Sequence, residues 1–151
     1  DTPFSIVSAS FEGVAPTSSS FAIIPSIRGR LIFGKNIPFS KMNVMGGGFR
    51  EQYLNEQLSF VGTNNVQLMD NSLLIGGIKL RQRIGGIHYL SLTGNYALSS
   101  HKLKNILNEE SMWGCAITYG MDSMFGPLEA SLNYTNHSDK IGFYINLGYK
   151  F

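Results

Sequence analysis

The sequence predicts an all-β fold, an antiparallel up-and-down transmembrane β-barrel of about eight strands in one domain over residues 1–151. Charged residues are only 15% of the chain, and aromatic residues are 12%, which is too many for a disordered chain. Glycine is abundant, at 17 residues, without a regular period. Polar and apolar residues alternate in many short runs, which is the pattern of strands with two different faces. Together with the lack of any apolar run of about 18 residues, these features are typical of a barrel that crosses a membrane with strands.

Eight segments carry the strand pattern, and each is long enough to cross a bilayer at a tilt, which takes about 9–11 residues. The segment 42–53 is rich in glycine, and its two faces cannot be told apart. The predicted strands span residues 4–13, 20–34, 42–53, 72–84, 87–99, 112–121, 127–136 and 140–151. In chain order, their apolar faces are Val7, Ala9 and Phe11; Ile27, Leu31 and Phe33; Leu74, Ile78 and Leu80; Leu90, Leu92, Tyr96 and Leu98; Trp113, Cys115, Ile117 and Tyr119; Leu128, Ala130, Leu132 and Tyr134; and Ile141, Phe143, Ile145, Leu147, Tyr149 and Phe151.

The connections predict which end of the barrel faces outward. Outer-membrane barrels have short periplasmic turns and longer extracellular loops, and their C-terminus is periplasmic. On that basis the connections 35–41, 85–86 and 121–126 lie on the periplasmic side, and the connections 13–19, 54–71, 100–111 and 136–139 lie outside. Parity of the faces also requires a three-residue loop, 84–86, around the two glycines.

Alternation alone does not say whether the apolar face meets lipid or the interior of a soluble, lipid-carrying barrel. Lipid outside is favoured by aromatic residues near the ends of the runs and by cations on the polar face. The cations have two interpretations, an anion-attracting lumen or lipid-headgroup contact, and an internal ion-pair network that fills a narrow barrel. The cations, named the basic cluster below, are Arg28, Arg30, Lys79, Arg81 and Arg83, and the acidic partners in the second interpretation are Glu12, Glu51 and Glu129.

The C-terminus predicts how the chain reaches its membrane. The chain ends on an aromatic residue, Phe151, with Tyr149 and Leu147 at the same outward face. This pattern is the signal that the barrel assembly machinery reads, and it predicts that machinery as a partner and the bacterial outer membrane as the location. The chain begins at Asp1 without a signal peptide, which suggests a processed form or an excised fragment.

The sequence contains no motif that predicts a catalytic, cofactor-binding or metal-binding site. The nucleophile elbow, phosphate-binding loop and paired-histidine zinc motif are all missing. The glycine run 46–48 could form an oxyanion hole, but a strand that relieves crowding or lets a loop approach is the favoured interpretation. A lone cysteine, Cys115, excludes an internal disulfide, and a net charge of +2 does not suggest a nucleic-acid partner. The three histidines, His88, His101 and His137, are scattered.

The chain resembles the C-terminal barrel of Bacteroidetes patatin-like phospholipases over about residues 42–151. The resemblance implies an N-terminal patatin domain with a Ser–Asp dyad, a small periplasmic linking domain, and a barrel of about sixteen strands related to outer-membrane assembly factors. None of the patatin motifs occurs in this chain, so no catalytic residue is implied. The residues that carry the resemblance are 71–84, 88–98, Trp113-Gly114, Tyr119, Asp122-Ser123, 126–130 and 140–151, and its most specific part is the stretch from Trp113 onward.

These observations predict a non-catalytic outer-membrane segment that contacts membrane lipid and anchors, or also translocates, an attached lipid-acting hydrolase. If the segment is half of a larger barrel, its two open edges would pair with another copy or close on each other. The alternatives are an independent eight-stranded outer-membrane protein with a structural or surface-binding role, and a soluble lipid carrier.

Overall fold

The chain forms an almost entirely antiparallel β structure, which confirms the predicted fold class. The computed structural model describes residues 3–34, 37–47, 57–63, 68–101, 106–107, 111–124 and 126–148, without the side chains of residues 68, 69 and 139. The described residues contain no helix long and apolar enough to cross a membrane. A single 3-10 turn at Phe39–Lys41 is the helical element among them.

The strands are β1 (Phe4–Glu12), β2 (Ala15–Pro16), β3 (Phe21–Gly34), β4 (Asn43–Met45), β5 (Gln57–Leu58), β6 (Leu68–Asp70), β7 (Ser72–Ile84), β8 (His88–Ser100), β9 (Ser111–Ser123), β10 (Gly126–Thr135) and β11 (Ser138–Leu147). The main sheet has the order β1-β3-β7-β8-β9-β10-β11, and β2 pairs with β3 in line with β1. A second sheet has the order β5-β4-β6. The main sheet therefore has eight strands at seven positions.

The two faces of the main sheet have opposite chemistry. On β8, the side chains of Ser91, Thr93 and Asn95 are buried, whereas those of Leu92 and Tyr96 are about half exposed. The register carries this alternation from strand to strand, because Leu92 lies opposite Leu80 on β7 and Ile117 on β9. We call the polar, mostly buried side the inner face and the apolar, exposed side the outer face. This is the reverse of a soluble lipid-carrying barrel, whose apolar side chains point inward.

The β7–β8 hairpin shows how local sequence sets the register. The pair Ile84 and His88 closes a three-residue loop in which Gly85 and Gly86 have φ of 61° and 84°. Both angles lie in the left-handed region, which glycine adopts without a steric penalty. The loop has the predicted length of three residues but begins one residue later than predicted.

The predicted strand over 42–53 is wrong. Of its described residues only Asn43–Met45 form a strand, and this strand, β4, belongs to the second sheet. Residues 48–56 lie outside the described residues, so the fate of Gly48 and Glu51 in the structure is not described. The physical reason for the error is that this segment packs on the inner face of other strands, and a strand covered in this way needs no alternation.

Because β3 pairs directly with β7, the predicted sidedness of the N-terminal connections is also wrong. The connection 13–20 lies beside the β7–β8 turn, since the backbone N–H of Arg83 donates to the carbonyl of Ser20 at 2.6 Å. We call this end, which also has the connections 85–87 and 124–125, the short-turn end. The opposite end, the long-loop end, has the connections 35–71, 101–110 and 136–137. The predicted contrast between short and long connections holds only in part. The long-loop end includes residues 35–41 and also the two-residue connection 136–137, and the short-turn end includes the eight-residue connection 13–20.

The main sheet is open. Among the described residues, β1 and β11 each pair with one neighbour only, and they do not pair with each other. Every residue of β1 is exposed, although its neighbour β3 is partly buried.

Candidate functional site

The candidate site is the inner face together with the segment that folds onto it. All five members of the basic cluster lie on this face, on β3 and β7. The register separates them into two groups. Arg28 and Arg30 lie opposite Ile75 and Leu73, toward the long-loop end. The other three, Lys79, Arg81 and Arg83, follow toward the short-turn end.

The inward segment, residues 37–47 and 57–63, covers the long-loop half of the inner face. Its apolar anchors are Met45 and Phe60, both with no exposed surface. Full burial of side chains of this size contributes about 1.5–3 kcal/mol each relative to exposure. The core cluster that they form with inner-face residues consists of Met45, Phe60, Leu73, Ile75, Ala97 and Met112.

Two arginines of the main sheet, which is called the wall below, bind the backbone and side chains of this segment. Arg30 donates to Asn43 Oδ1 at 2.6 Å and to the Lys41 carbonyl at 3.2 Å, while Asn43 Nδ2 donates back to the Arg30 carbonyl at 2.8 Å. Arg28 donates to Ser59 Oγ at 2.6 Å and forms an ion pair with Glu12 at 3.2 Å. These two cations therefore hold the inward segment against β3, a role that the sequence did not indicate.

The glycine run of the inward segment is used for close packing. Gly47 has φ of 84°, and its carbonyl accepts from the Phe60 N–H at 3.1 Å. Gln57 Nε2 donates to the Gly46 carbonyl at 2.7 Å, beside the parallel pairing of β4 with β5. The described glycines, Gly46 and Gly47, thus let two stretches of backbone approach each other, but they follow β4 and do not lie within a strand.

The wall has a matching glycine under the segment. A Cβ placed on Gly114 of β9 would meet the Val61 carbonyl, the Phe60 ring and the Thr135 methyl group. A Cβ on Gly62, which has φ of 89°, would also meet the methyl group of Thr135 on β10. The inward segment therefore touches the wall from β3 across to β10.

The short-turn half of the inner face is polar and has a different contact network. The Tyr89 ring lies over Gly120, where a Cβ would collide with it, and its hydroxyl donates to Glu129 Oε1 at 2.6 Å. The Arg81 guanidinium lies 5.0 Å from the centre of the same ring, within the range of a cation–π interaction. At the rim, Arg83 and Asp122 form an ion pair at 3.8 Å with both side chains more than half exposed.

Comparison with known proteins identifies the family of this open, inside-polar sheet. A profile of the OMP85 superfamily matches residues 2–151. The chain belongs to the OMP85 superfamily. At the level of the family this means a β-barrel of the bacterial outer membrane, whose members interact with the membrane and with assembly machinery in general. A search of curated proteins finds no match.

Several buried polar atoms of this OMP85 chain have no hydrogen-bond partner among the described residues. They include Arg81 Nε, Ser91 Oγ and Asn95 Oδ1, all on the inner face. A buried polar group without a partner costs about 1–3 kcal/mol, so such groups are normally satisfied by water or by another part of the protein. The inner face is therefore a surface that needs polar neighbours.

The outer face of the OMP85 chain carries aromatic residues toward both ends. Trp113 and Tyr134 lie toward the long-loop end with ring centres 5.7 Å apart. Tyr119 lies toward the short-turn end, stacked on His88 with its hydroxyl 2.7 Å from Nδ1. Aromatic residues at two levels are typical of the two interfaces of a membrane barrel.

The remaining residues singled out in the sequence do not form a joint site. His101 Nδ1 contacts Asp70 Oδ1 at the long-loop end, His137 is exposed in the 136–137 turn, and Cys115 is exposed on the outer face. Leu147 of the predicted assembly signal is 69% exposed on the outer face. Its companions, Tyr149 and Phe151, lie outside the described residues.

Proposed function

We propose that this chain is part of the wall of a bacterial outer-membrane β-barrel that anchors an attached lipid-acyl hydrolase and carries no catalytic residue itself. The observation that carries the proposal is the inverted burial of the sheet, apolar outside and polar inside. Strand β8 has 13 residues. At about 3.3 Å per residue and a tilt of about 45°, such a strand rises about 30 Å, the thickness of a bilayer's hydrocarbon core.

The attached hydrolase is supported by the resemblance to patatin-like phospholipases, whose most specific part is the stretch 113–151. The OMP85 family match is coarser and covers barrels with many roles. A non-catalytic wall is supported by the inner-face contacts, in which Tyr89 contacts both Glu129 and Arg81. A translocating role would also require the inward segment to leave the inner face, so anchoring is the function that the geometry favours.

The partners follow from the same proposal. The outer face would contact membrane lipid, and the C-terminal residues from Leu147 onward would be read by the barrel assembly machinery. Depletion of that machinery should therefore reduce the assembled form of the protein. Deletion of Phe151 should slow assembly in cells with normal machinery, and unchanged assembly would contradict the signal.

The decisive test is electrophoresis of native outer membranes with and without boiling, probed by an antibody to residues 126–147. A boiled band far above 16.7 kDa, with a faster unboiled form, would support a barrel segment attached to a larger protein. Release of lipid-acyl hydrolase activity by proteolysis of the same membranes would support the anchoring role. A band in the soluble fraction, without a heat-dependent shift, would contradict the barrel role.

The second candidate is an independent outer-membrane protein with a structural or surface-binding role. The long connections 35–71 and 101–110 at one end favour it, because extracellular loops of outer-membrane barrels are where surface binding occurs. A boiled band near 16.7 kDa with a faster unboiled form would support this candidate and remove the link to a hydrolase.

A further inference from the structure

A row of hydrogen-bond donors crosses the short-turn half of the inner face. Residues that pair across neighbouring strands share a face, and Ser91 is an inner-face residue. The register aligns Arg81 on β7 with Ser91 on β8, Thr118 on β9, Ser131 on β10 and Tyr144 on β11. We call these five residues the donor row, because it consists of one guanidinium and four hydroxyls. Neighbouring strands lie about 4.7–4.9 Å apart, so one small ligand can contact side chains of two or three of them.

Two adjacent members of the donor row are buried without a hydrogen-bond partner. Ser91 has only 1% of its surface exposed, and its Oγ has no partner among the described residues. The same is true of the Nε of Arg81, the residue that pairs with Ser91 on β7. Buried polar atoms are normally satisfied by protein, by water or by a ligand. Two unsatisfied groups side by side therefore indicate a place where a partner from outside the described residues accepts hydrogen bonds.

The charges around the donor row favour an anion as that partner. The cations at the row and on either side of it along β7 are Lys79, Arg81 and Arg83. The neighbouring carboxylates of the described strands are those of Glu129, one level from the row on β10, and of Asp122, which pairs with Arg83 at the rim. Three cations against two carboxylates leave one positive charge in excess. Because buried charges are normally paired, a ligand with one negative charge would balance this part of the inner face.

We infer that the donor row binds a phosphate group through the guanidinium of Arg81 and the hydroxyls of Ser91 and Thr118. Arginine binds phosphate with two parallel N–H groups, and the Nε–H of Arg81 is available for one edge of that fork. Serine and threonine hydroxyls are common donors to phosphate oxygens. A phosphodiester carries one negative charge, which equals the excess on the described strands.

The route to the donor row follows from the cover of the inner face. The inward segment packs on the long-loop half, so the ligand enters from the short-turn end. In an outer-membrane barrel the short turns are periplasmic, and both free phosphate and the headgroups of phospholipids are sources of the group on that side. This inference rests on the proposed barrel wall, but it does not require an attached hydrolase.

The test measures ligand binding to the full protein, extracted from native outer membranes in a phosphate-free, non-ionic detergent. The probes are radiolabelled inorganic phosphate, followed by equilibrium dialysis, and two short-chain lipids, followed by native mass spectrometry. The lipids are dioctanoyl phosphatidylglycerol and dioctanoylglycerol, which differ in the phosphate-bearing headgroup. Binding of phosphatidylglycerol but not of inorganic phosphate would support a headgroup site, and the reverse would support a site for the free ion. Binding of neither, or equal binding of the two lipids without binding of inorganic phosphate, would overturn the inference.

Two substitutions connect binding to the donor row. Ser91→Ala removes the unpartnered hydroxyl with little change in volume, and Arg81→Lys keeps the charge but removes the fork. Each should weaken binding of the phosphate-bearing probe by about 10-fold or more, the loss expected for a hydrogen bond to a charged group. Without ligand, Ser91→Ala should leave the free energy of unfolding unchanged or raise it, because the hydroxyl has no partner to lose.

The matched control is Arg83→Lys at the exposed rim, which keeps its charge and should leave binding unchanged. Unchanged binding by both Ser91→Ala and Arg81→Lys would overturn the inference. A clear loss of stability in ligand-free Ser91→Ala would also overturn it, since the hydroxyl would then have a partner within the protein. Absence of the heat-dependent band shift would instead contradict the proposed barrel role.

Discussion

The two halves of the inner face are built from the same strands but have opposite chemistry. In the long-loop half, β7 presents Leu73 and Ile75, and the inward segment covers both side chains until less than 4% of their surface is exposed. In the short-turn half, the same strand presents Lys79 and Arg81 at the inward positions that follow Gly77, beside a network of tyrosine and carboxylate. The change occurs within about four residues of one strand.

The difference shows that the inward positions of β7 change with their cover. Where the inward segment lies on β7, Leu73 and Ile75 are apolar and add to a hydrophobic core, whereas the covered cations of β3, Arg28 and Arg30, hydrogen-bond to the segment. Where the described chain places no such segment on β7, the inward residues Lys79 and Arg81 are charged. The sequence carries a trace of this rule in the consecutive apolar residues Leu73, Leu74 and Ile75, which are apolar on both faces of the strand.

The largest expected effect comes from removing the main anchor of the covered half. Phe60→Ala should lower the free energy of unfolding by about 3–5 kcal/mol, because it leaves a cavity between the inward segment and the wall. The measurement is urea unfolding in detergent micelles. Met124→Ala, at a side chain that is 96% exposed, is the control and should change little. Equal effects of the two substitutions would contradict the covered core.

A charge on the outer face tests whether the inner and outer faces are assigned correctly. Leu132→Arg at mid-strand on β10 should cost about 2–4 kcal/mol and reduce membrane assembly, because the side chain would meet lipid. Thr118→Arg places the charge on the inner face of β9, so the effect of this variant should depend on the space inside the barrel instead of on contact with lipid. Normal folding and insertion of both variants would show that the assignment of the inner and outer faces is wrong.

In the short-turn half, removal of the Tyr89 hydroxyl should have a smaller effect on the free energy of unfolding. Tyr89→Phe keeps the ring over Gly120 but removes the hydrogen bond to Glu129, and we expect a loss of about 1.5–3 kcal/mol for a bond to a charged acceptor. Unfolding of the single variants Tyr89→Phe and Glu129→Gln and of the double variant measures the coupling. Strictly additive effects would mean that the two side chains do not interact.

The smallest effect should come from the rim. Arg83→Gln removes the ion pair with Asp122, whose side chains are 59% and 54% exposed, and exposed pairs contribute about 0–1 kcal/mol. The loss should shrink further at high salt, because salt screens exposed charges. Unfolding at low and high ionic strength checks this, and a large loss that does not depend on salt would place the pair in a buried site.

The sequence predicted the strands well wherever a strand has two different faces. The predicted strand 72–84 has the observed bounds of β7, and 87–99 differs from β8 by one residue at each end. The predicted strand 42–53 was wrong because the glycines of this segment carry no alternation. The described part of the segment packs on inner-face side chains that lie far along the chain. Alternation also placed the basic cluster on one face, while its division into two groups depends on the register of β3 with β7, which no local pattern specifies.

The contacts within the site could not be predicted for a related reason. Tyr89 and Glu129 lie 40 residues apart and meet across β9, where Gly120 leaves room for the ring. Asp122 was not recognised as a partner of Arg83, because the two residues are brought together only after β7, β8 and β9 have paired. The contact between Tyr89 and Glu129 could have been predicted from a tyrosine, a glycine and a glutamate that lie in register on three consecutive strands.

The position of the inward segment has a consequence for the order in which the sheet forms. Strands β7 to β11 pair in chain order, with connections short enough for each pair to form as a hairpin, whereas β3 and β7 are separated by residues 35–71. Closing a longer loop costs more entropy, by about 0.6 kcal/mol for each doubling of its length, so this seam should form late. Yet the inserted residues bind Arg28 and Arg30 of β3 and pack on Leu73 of β7 at the same time. The inward segment thus contacts both β3 and β7, the two strands whose pairing should form late, and it should help to align them during folding.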